Sequence, residues 1–233
     1  MHMPTNSLIN ILDIHEFFRD YRSLQPSGCW WFRGHANKEW PLIPKAGRSE
    51  FCLPSSDGLR PDKYRFEEWR KQAVAYNGQL PKDDWECLAI AQHHGLATRL
   101  LDWTENPLVA VFFACCELPD IAGCVYCYTP PGFVQDDHTE TGSGYSPRGI
   151  SPRILNQAGV FTVHDPPTEP IEPTPLAQLA KLELPANIKW DMLLHLNDYG
   201  INWATLFPDM DGLSKQINFL TKVRKRFSGA TTK

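Results

Sequence analysis

Two short stretches hold the residues best suited to chemistry. The first, Cys29–His35, reads CWWFRGH and carries Arg33 among aromatic side chains. An arginine keeps its charge in a protein, so in an apolar strand it must meet a carboxylate, backbone carbonyls or an anionic ligand. A buried ion pair from Arg33 to Asp102 or to a glutamate is one reading. A phosphate clamp is the other: the guanidinium fork suits a diphosphate, and Gly34 lets a ligand approach the backbone closely.

The second stretch, Ala91–Cys116, reads AQHHGLATRLLDWTENPLVAVFFACC. If Thr98–Thr104 is extended, Thr98, Leu100, Asp102 and Thr104 share one face, and Arg99, Leu101 and Trp103 the other. The polar face could line a cleft, with Asp102 orienting Arg33 or a ribose hydroxyl. It could equally be a polar network that locks the segment to the next helix. Trp103 suits either a core plug or a platform for a planar ring. His93 and His94 close a helix, where the dipole favours a cationic imidazole. With Asp102 they could also perform acid–base cleavage of RNA without a metal. The Gln157 amide could bind a ribose or a base. No HxH or HxxxH spacing occurs and the remaining histidines are scattered, so no metal is expected.

The elements that position these residues follow from local pattern. Asp13 and Glu16 have the spacing of a capping box that opens a helix through Tyr21. CWWFRGH is β-rich. KEWPLIPKAGRSE is irregular. Tyr64–Tyr76 and Trp85–His94 read as helices, the second stopped by Gly95. Asn106 and Pro107 are cap and first residue of a helix whose body, Leu108–Cys116, is apolar on every side and so expected to be buried. Gly123–Tyr128 reads as a strand, which points Cys124 and Cys127 to opposite faces and argues against a CxxC metal or redox pair. Pro/Gly-rich loops, expected to be mobile, span about 129–150 and 164–175 and flank RILNQAGVFTVH, whose end alternates like a strand. NIKWDMLLHLNDYG reads as a helix closed by Gly200. A last helix runs from about Gly212 into the basic KVRKR.

With 233 residues, 42% of them hydrophobic, the chain can bury one sizeable core. No repeats and no second core are evident. The expected fold class is α+β, a single domain over 1–233 with a core at about 25–222 and a mixed β-sheet flanked by helices. A net charge of -4 lacks the basic footprint of phosphate-backbone binders, although a local basic groove stays open. No apolar run is long enough for a transmembrane helix, and the N-terminus lacks a secretory pattern. Seven cysteines, an odd count, suit reduced thiols and a cytoplasmic location.

At these residues the chain resembles the FRG-domain family, which takes its name from an aromatic-Arg-Gly motif, here Phe32-Arg33-Gly34. The resemblance extends through His93–Pro107, to Gln157-x-Gly159-x-Phe161, and to Leu206–Gly212. A further resemblance is to ADP-ribosyltransferases, which have a similar first strand and a Ser/Thr-rich strand leading into a helix like Val109–Ala114. Their third motif, a strand bearing a glutamate, would fall near Gln157, where this sequence has none. That resemblance implies NAD as ligand, with Arg33 on the diphosphate, an aromatic such as Trp31 or Trp103 on the nicotinamide, and another acid such as Asp102 near the ribose.

The catalytic candidates are therefore Arg33, His94, Thr98, Arg99, Asp102 and Gln157. The cofactor-binding candidates are Trp31, Phe32, Arg33, Gly34, Thr98 and Trp103. The implied function is an NAD-binding ADP-ribosyltransferase-like or NAD-glycohydrolase-like effector, in the manner of toxin or phage-defence systems. The alternatives are an RNA-binding or RNA-cleaving domain and a non-catalytic ligand- or partner-binding module. The expected partner is a small-molecule nucleotide, with RNA or DNA open, no membrane, and no reading of a protein partner or antitoxin.

Overall fold

The computed structural model describes residues 11–24, 29–52, 61–134, 140–148 and 151–228. In chain order the elements are α1 (Ile11–Leu24), β1 (Trp31–His35), α2 (Pro61–Asn77), α3 (Asp84–His93), β2 (Leu100–Thr104), α4 (Pro107–Cys115) and β3 (Gly123–Thr129). They continue with β4 (Gly144–Tyr145), α5 (Pro152–Asn156), β5 (Gly159–Val163), β6 (Gln178–Leu184), α6 (Lys189–Asp198), α7 (Trp203–Leu206) and α8 (Met210–Ser228). The strands form one sheet in the order β4-β5-β2-β1-β3-β6. The α+β expectation holds. The pairing differs from the mixed sheet expected: every strand pair in the sheet is antiparallel. Short alternating strands carry no mark of their direction, which the connections decide.

The sheet is two ladders joined at a seam. β1 pairs with β3 over five residues, and β2 pairs with β5 over five. Between β1 and β2 the register holds only Phe32 opposite Thr104. Beyond that pair the two strands diverge.

One face of the sheet packs on helices. Phe32, Val125, Cys127, Leu182 and Leu184 meet α4, α6 and α8 in the largest core cluster. The other face carries Trp31, Leu101, Trp103, Cys124, Tyr126 and Tyr128 under loop residues Leu42, Ile171 and Ala177. Cys124 and Cys127 thus lie on opposite faces, as strand alternation requires, and all seven cysteines are free.

α4 forms where the sequence signals it. The Asn106 side chain accepts the Leu108 amide at 3.0 Å, and Pro107 opens the first turn. Being apolar all round, α4 is buried against β1 and α6 rather than lying on the surface. Gly95 and Gly200 end α3 and α6 with φ of 92° and 79°, values that glycine adopts without penalty. At α1 the helix begins before Asp13, which therefore lies in the first turn instead of capping it.

A buried cation ties the C-terminal half to the rest. Lys189, 1% exposed, donates from Nζ to the carbonyls of Ala36 at 2.7 Å, Leu118 at 3.0 Å and Glu117 at 3.3 Å. Three acceptors match its three protons.

The closest approach of sheet and helix is at Gly34. A Cβ there would lie 1.9 Å from the Ala110 carbonyl oxygen and 2.6 Å from the Ala114 nitrogen. Both obstacles are backbone, so no rotamer change relieves them. Gly34→Ala is expected to lose several kcal/mol or fail to fold, beyond the roughly 1–3 kcal/mol of ordinary overpacking. Gly132→Ala, at a position with nothing within 4 Å, should be near neutral. Urea unfolding of the two variants beside the wild type checks this.

Candidate functional site

The divergence of β1 and β2 opens a cleft of about 380 Å³, within the range of small-molecule sites. β1 and β2 form its floor with Phe32, Arg33, Gly34, Asp102, Trp103 and Thr104. α3 and the turn after it contribute Gln92, His93 and Gly95. The C-terminal end of α4 supplies Phe113, with Cys116 and Glu117 beyond it. α5 and its cap add Arg153 and Gln157. The irregular segment after β1 brings Trp40, Lys45 and Arg48.

Arg33 spans the seam. Its Nη1 donates to the Asp102 carbonyl oxygen and lies 3.8 Å from the Asp102 carboxylate. Its Nε donates to His35 Nε2 at 3.0 Å. The Arg33 side chain is 16% exposed and that of Asp102 62%, so the carboxylate faces solvent at the mouth of the cleft. An ion pair of this length with one exposed partner is weak, which leaves the carboxylate able to meet a ligand. Burial lowers the pKa of Arg33, Asp102 opposes that, and the starting value is high enough for the charge to persist.

The structure divides the candidate residues into two groups. Phe32, Arg33, Gly34, Asp102, Trp103 and Gln157 line the cleft. Trp31, His94, Thr98 and Arg99 do not. Trp31 is fully buried in the loop-covered core. His94 is exposed as the C-cap residue of α3, while His93 faces the cleft, so His93, His94 and Asp102 do not converge. Burial, with Arg153 nearby, lowers the pKa of His93, against the cationic imidazole expected at the helix end.

Thr98 and Arg99 belong to a polar lock. The Thr98 hydroxyl donates to Gln92 Oε1 and accepts the Leu100 amide at 3.2 Å. Arg99 pairs with Asp62 of α2 at 2.7 Å and with Asp165 at 3.0 Å, its side chain 7% exposed. Trp103 serves mainly as a core plug. It stacks on Tyr128 with centroids 5.2 Å apart, and its Nε1 donates to Thr162 Oγ1 at 2.9 Å. Thr162 in turn contacts His164 Nε2 at 3.3 Å, and His164 Nδ1 contacts the Glu169 carbonyl at 2.9 Å. The carbonyl can only accept, so His164 carries its proton on Nδ1. The Gln157 amide donates to the Leu206 carbonyl at 2.9 Å, which fixes it against α7.

Several lining residues carried no sequence signal: Trp40, 41% exposed, Lys45, Arg48, Glu117 and Arg153. Cys116 also reaches the wall, but burial pushes its thiol up to about 12, so it is no nucleophile at neutral pH. Among the described residues no group of His, Cys, Asp and Glu could hold a metal ion, and no helix is long and apolar enough to cross a membrane.

The chain is an α+β domain with a cleft of mixed polar and apolar lining at a seam in its sheet. Residues 28–121 match the family model of the FRG domain. No curated protein matches the chain. No solved structure matches it.

His35 and His164, 4% and 0% exposed, titrate at about 3 and about 4, each lowered chiefly by burial. Unfolding returns them to about 6.5. Between pH 4 and 6.5 the unfolded chain then binds more protons, so stability climbs with pH in that window and is flat in this respect above about 7. Urea unfolding at pH 5, 6 and 7.5 should show the climb, and His164→Asn should make it shallower. Equal stability at pH 5 and 7.5 would contradict the buried neutral imidazoles.

Proposed function

We propose that the cleft is a nucleotide-binding site and that NAD is its first ligand to test. The observation that carries this reading is Arg33, held inside the sheet at the seam between β1 and β2, with an exposed carboxylate beside it. The residues present suit such a ligand. Arg33 offers a forked donor for a phosphate. Trp40, part exposed at the mouth, offers a face on which a planar ring can stack. Asp102 and Glu117 are carboxylates at the cleft, in a chain that lacks the glutamate of the ADP-ribosyltransferase pattern near Gln157.

An ADP-ribosyltransferase-like or NAD-glycohydrolase-like reaction would break the bond between ribose C1′ and the nicotinamide nitrogen. The nicotinamide leaves with the electron pair, and an oxygen of water or of an acceptor bonds to C1′ and gives up its proton. Asp102 or Glu117 would stabilise the positive charge that develops on the ribose and take that proton. Arg33 would hold the diphosphate, so that binding energy away from the reacting bond orients it. An activity that consumes NAD suits an effector in toxin or phage-defence systems.

A second reading is favoured by the hydrogen bonds Arg33 already makes. In it Arg33 is a clasp that closes the seam, and the domain binds no nucleotide. Thermal melting separates the two. Ligand binding to the native state alone stabilises by about 2.7 kcal/mol at a hundredfold excess over Kd. For a chain of this size that is a rise of roughly 5–10 °C. Millimolar NAD should produce it in the wild type and not in Arg33→Ala. A variant that melts far lower than an NAD-insensitive wild type would support the clasp. Nicotinamide release is the next assay where the shift is found.

A further inference from the structure

Four cationic side chains line the cleft, and three already have protein partners. Arg33 donates to Asp102. Lys45 Nζ donates to the Gly95 carbonyl at 3.1 Å and lies 5.2 Å over the Phe51 ring. Arg153 stacks on Phe207 at 4.6 Å. The Arg48 guanidinium has no ion pair, hydrogen bond or ring contact among the described residues.

Its backbone is held firmly. The Arg48 amide donates to the Lys45 carbonyl at 3.2 Å, and its carbonyl accepts the amides of Phe51 at 2.9 Å and Cys52 at 3.1 Å. The turn before it is anchored to the segment leading into β2 by Ala46 N–H to the Thr98 carbonyl at 3.1 Å. A fixed stem therefore presents an unpartnered fork to the cleft. That fork lies within electrostatic reach of Arg33 and His35 and acts against the protonated form of each. Two like charges on one cleft repel, and an anion seated between them turns that repulsion into two attractions.

We infer that Arg33 and Arg48 form a two-armed clamp for a diphosphate, one guanidinium supplied by β1 and the other by the turn after it. Two planar forks from two separate segments match two phosphate groups better than one, because each fork can take a phosphate through paired N–H donors. Arg48 thereby becomes the residue that separates diphosphate-bearing ligands from monophosphates. The inference rests on the nucleotide reading of the cleft and adds to it a ligand class and a second binding residue.

The test is calorimetric titration of the full chain with ADP-ribose, inorganic pyrophosphate and AMP. The wild type should bind ADP-ribose about tenfold or more tightly than AMP. Arg48→Ala should weaken ADP-ribose and pyrophosphate on the order of tenfold to a hundredfold, the range of a charge-assisted hydrogen bond, and leave AMP little changed. Its melting temperature should stay close to that of the wild type, since the guanidinium makes no hydrogen bond, ion pair or ring contact among the described residues. Arg48→Lys keeps the charge but not the fork, and should recover only part of the loss. ADP-ribose binding that depends on Arg33 but survives Arg48→Ala intact would overturn the clamp and leave the nucleotide reading standing. A wild type that binds none of the three would overturn both.

Discussion

Strand β1 lies with its backbone directly against α4, and that contact at Gly34 sets the geometry of everything near the cleft. The Ala110 carbonyl occupies the space where any other residue would place its Cβ. The helix is pressed in this way because it is apolar on every side and must be covered all round. Its N-terminus is pinned by Asn106 just past the end of β2, and its body crosses β1. β2 and β1 are thus joined through α4 as well as through their single register pair. The sheet can part between them without coming undone, because each strand keeps a full ladder on its other side.

A parted seam needs something to hold its width. On the side of β2 that work falls to Arg99, buried between Asp62 and Asp165, and to the chain of contacts from Trp103 through Thr162 to His164. Arg99, Thr162 and His164 lie outside the cleft lining, and of these groups Trp103 alone reaches it. Arg33 is different: its partners are a backbone carbonyl, a neutral imidazole and a carboxylate 3.8 Å away that is mostly in water. Arg99, just before β2, is held by two carboxylates, whereas Arg33, within β1, has one carboxylate at 3.8 Å that is mostly in water.

How much of this is legible in the sequence depends on the range of the interaction. The cap at Asn106, the burial of α4, the ends of α3 and α6 and the opposite faces of Cys124 and Cys127 follow from neighbours a few positions apart. The alternation in Leu100–Thr104 separates Leu101 and Trp103 from Asp102 correctly. It does not say what covers each face, so the roles of Thr98 and Arg99 were open: the partners of Arg99 come from α2 and from the loop after β5. β6 escaped notice because QLAKLEL follows a proline-rich stretch and its central residues are only half-buried on a sheet edge. Trp40, Lys45 and Arg48 lie in a segment without periodicity, where nothing local marks a residue as facing a ligand. Glu117 and Arg153 reach the cleft only because α4 and α5 end there.

The span recognised by the FRG family covers β1, α2, α3, β2 and α4 but stops at residue 121, before β3 begins. Within that span β1 has only the Phe32–Thr104 pair, and the carbonyls of Ala36, Glu117 and Leu118 lose the ammonium of Lys189. The unit that families of sequence define here is therefore smaller than the unit that can fold. A protein engineer wishing to move this domain into another chain would have to carry β3, β5, β6 and α6 along with it, even where those parts bear no recognisable signature.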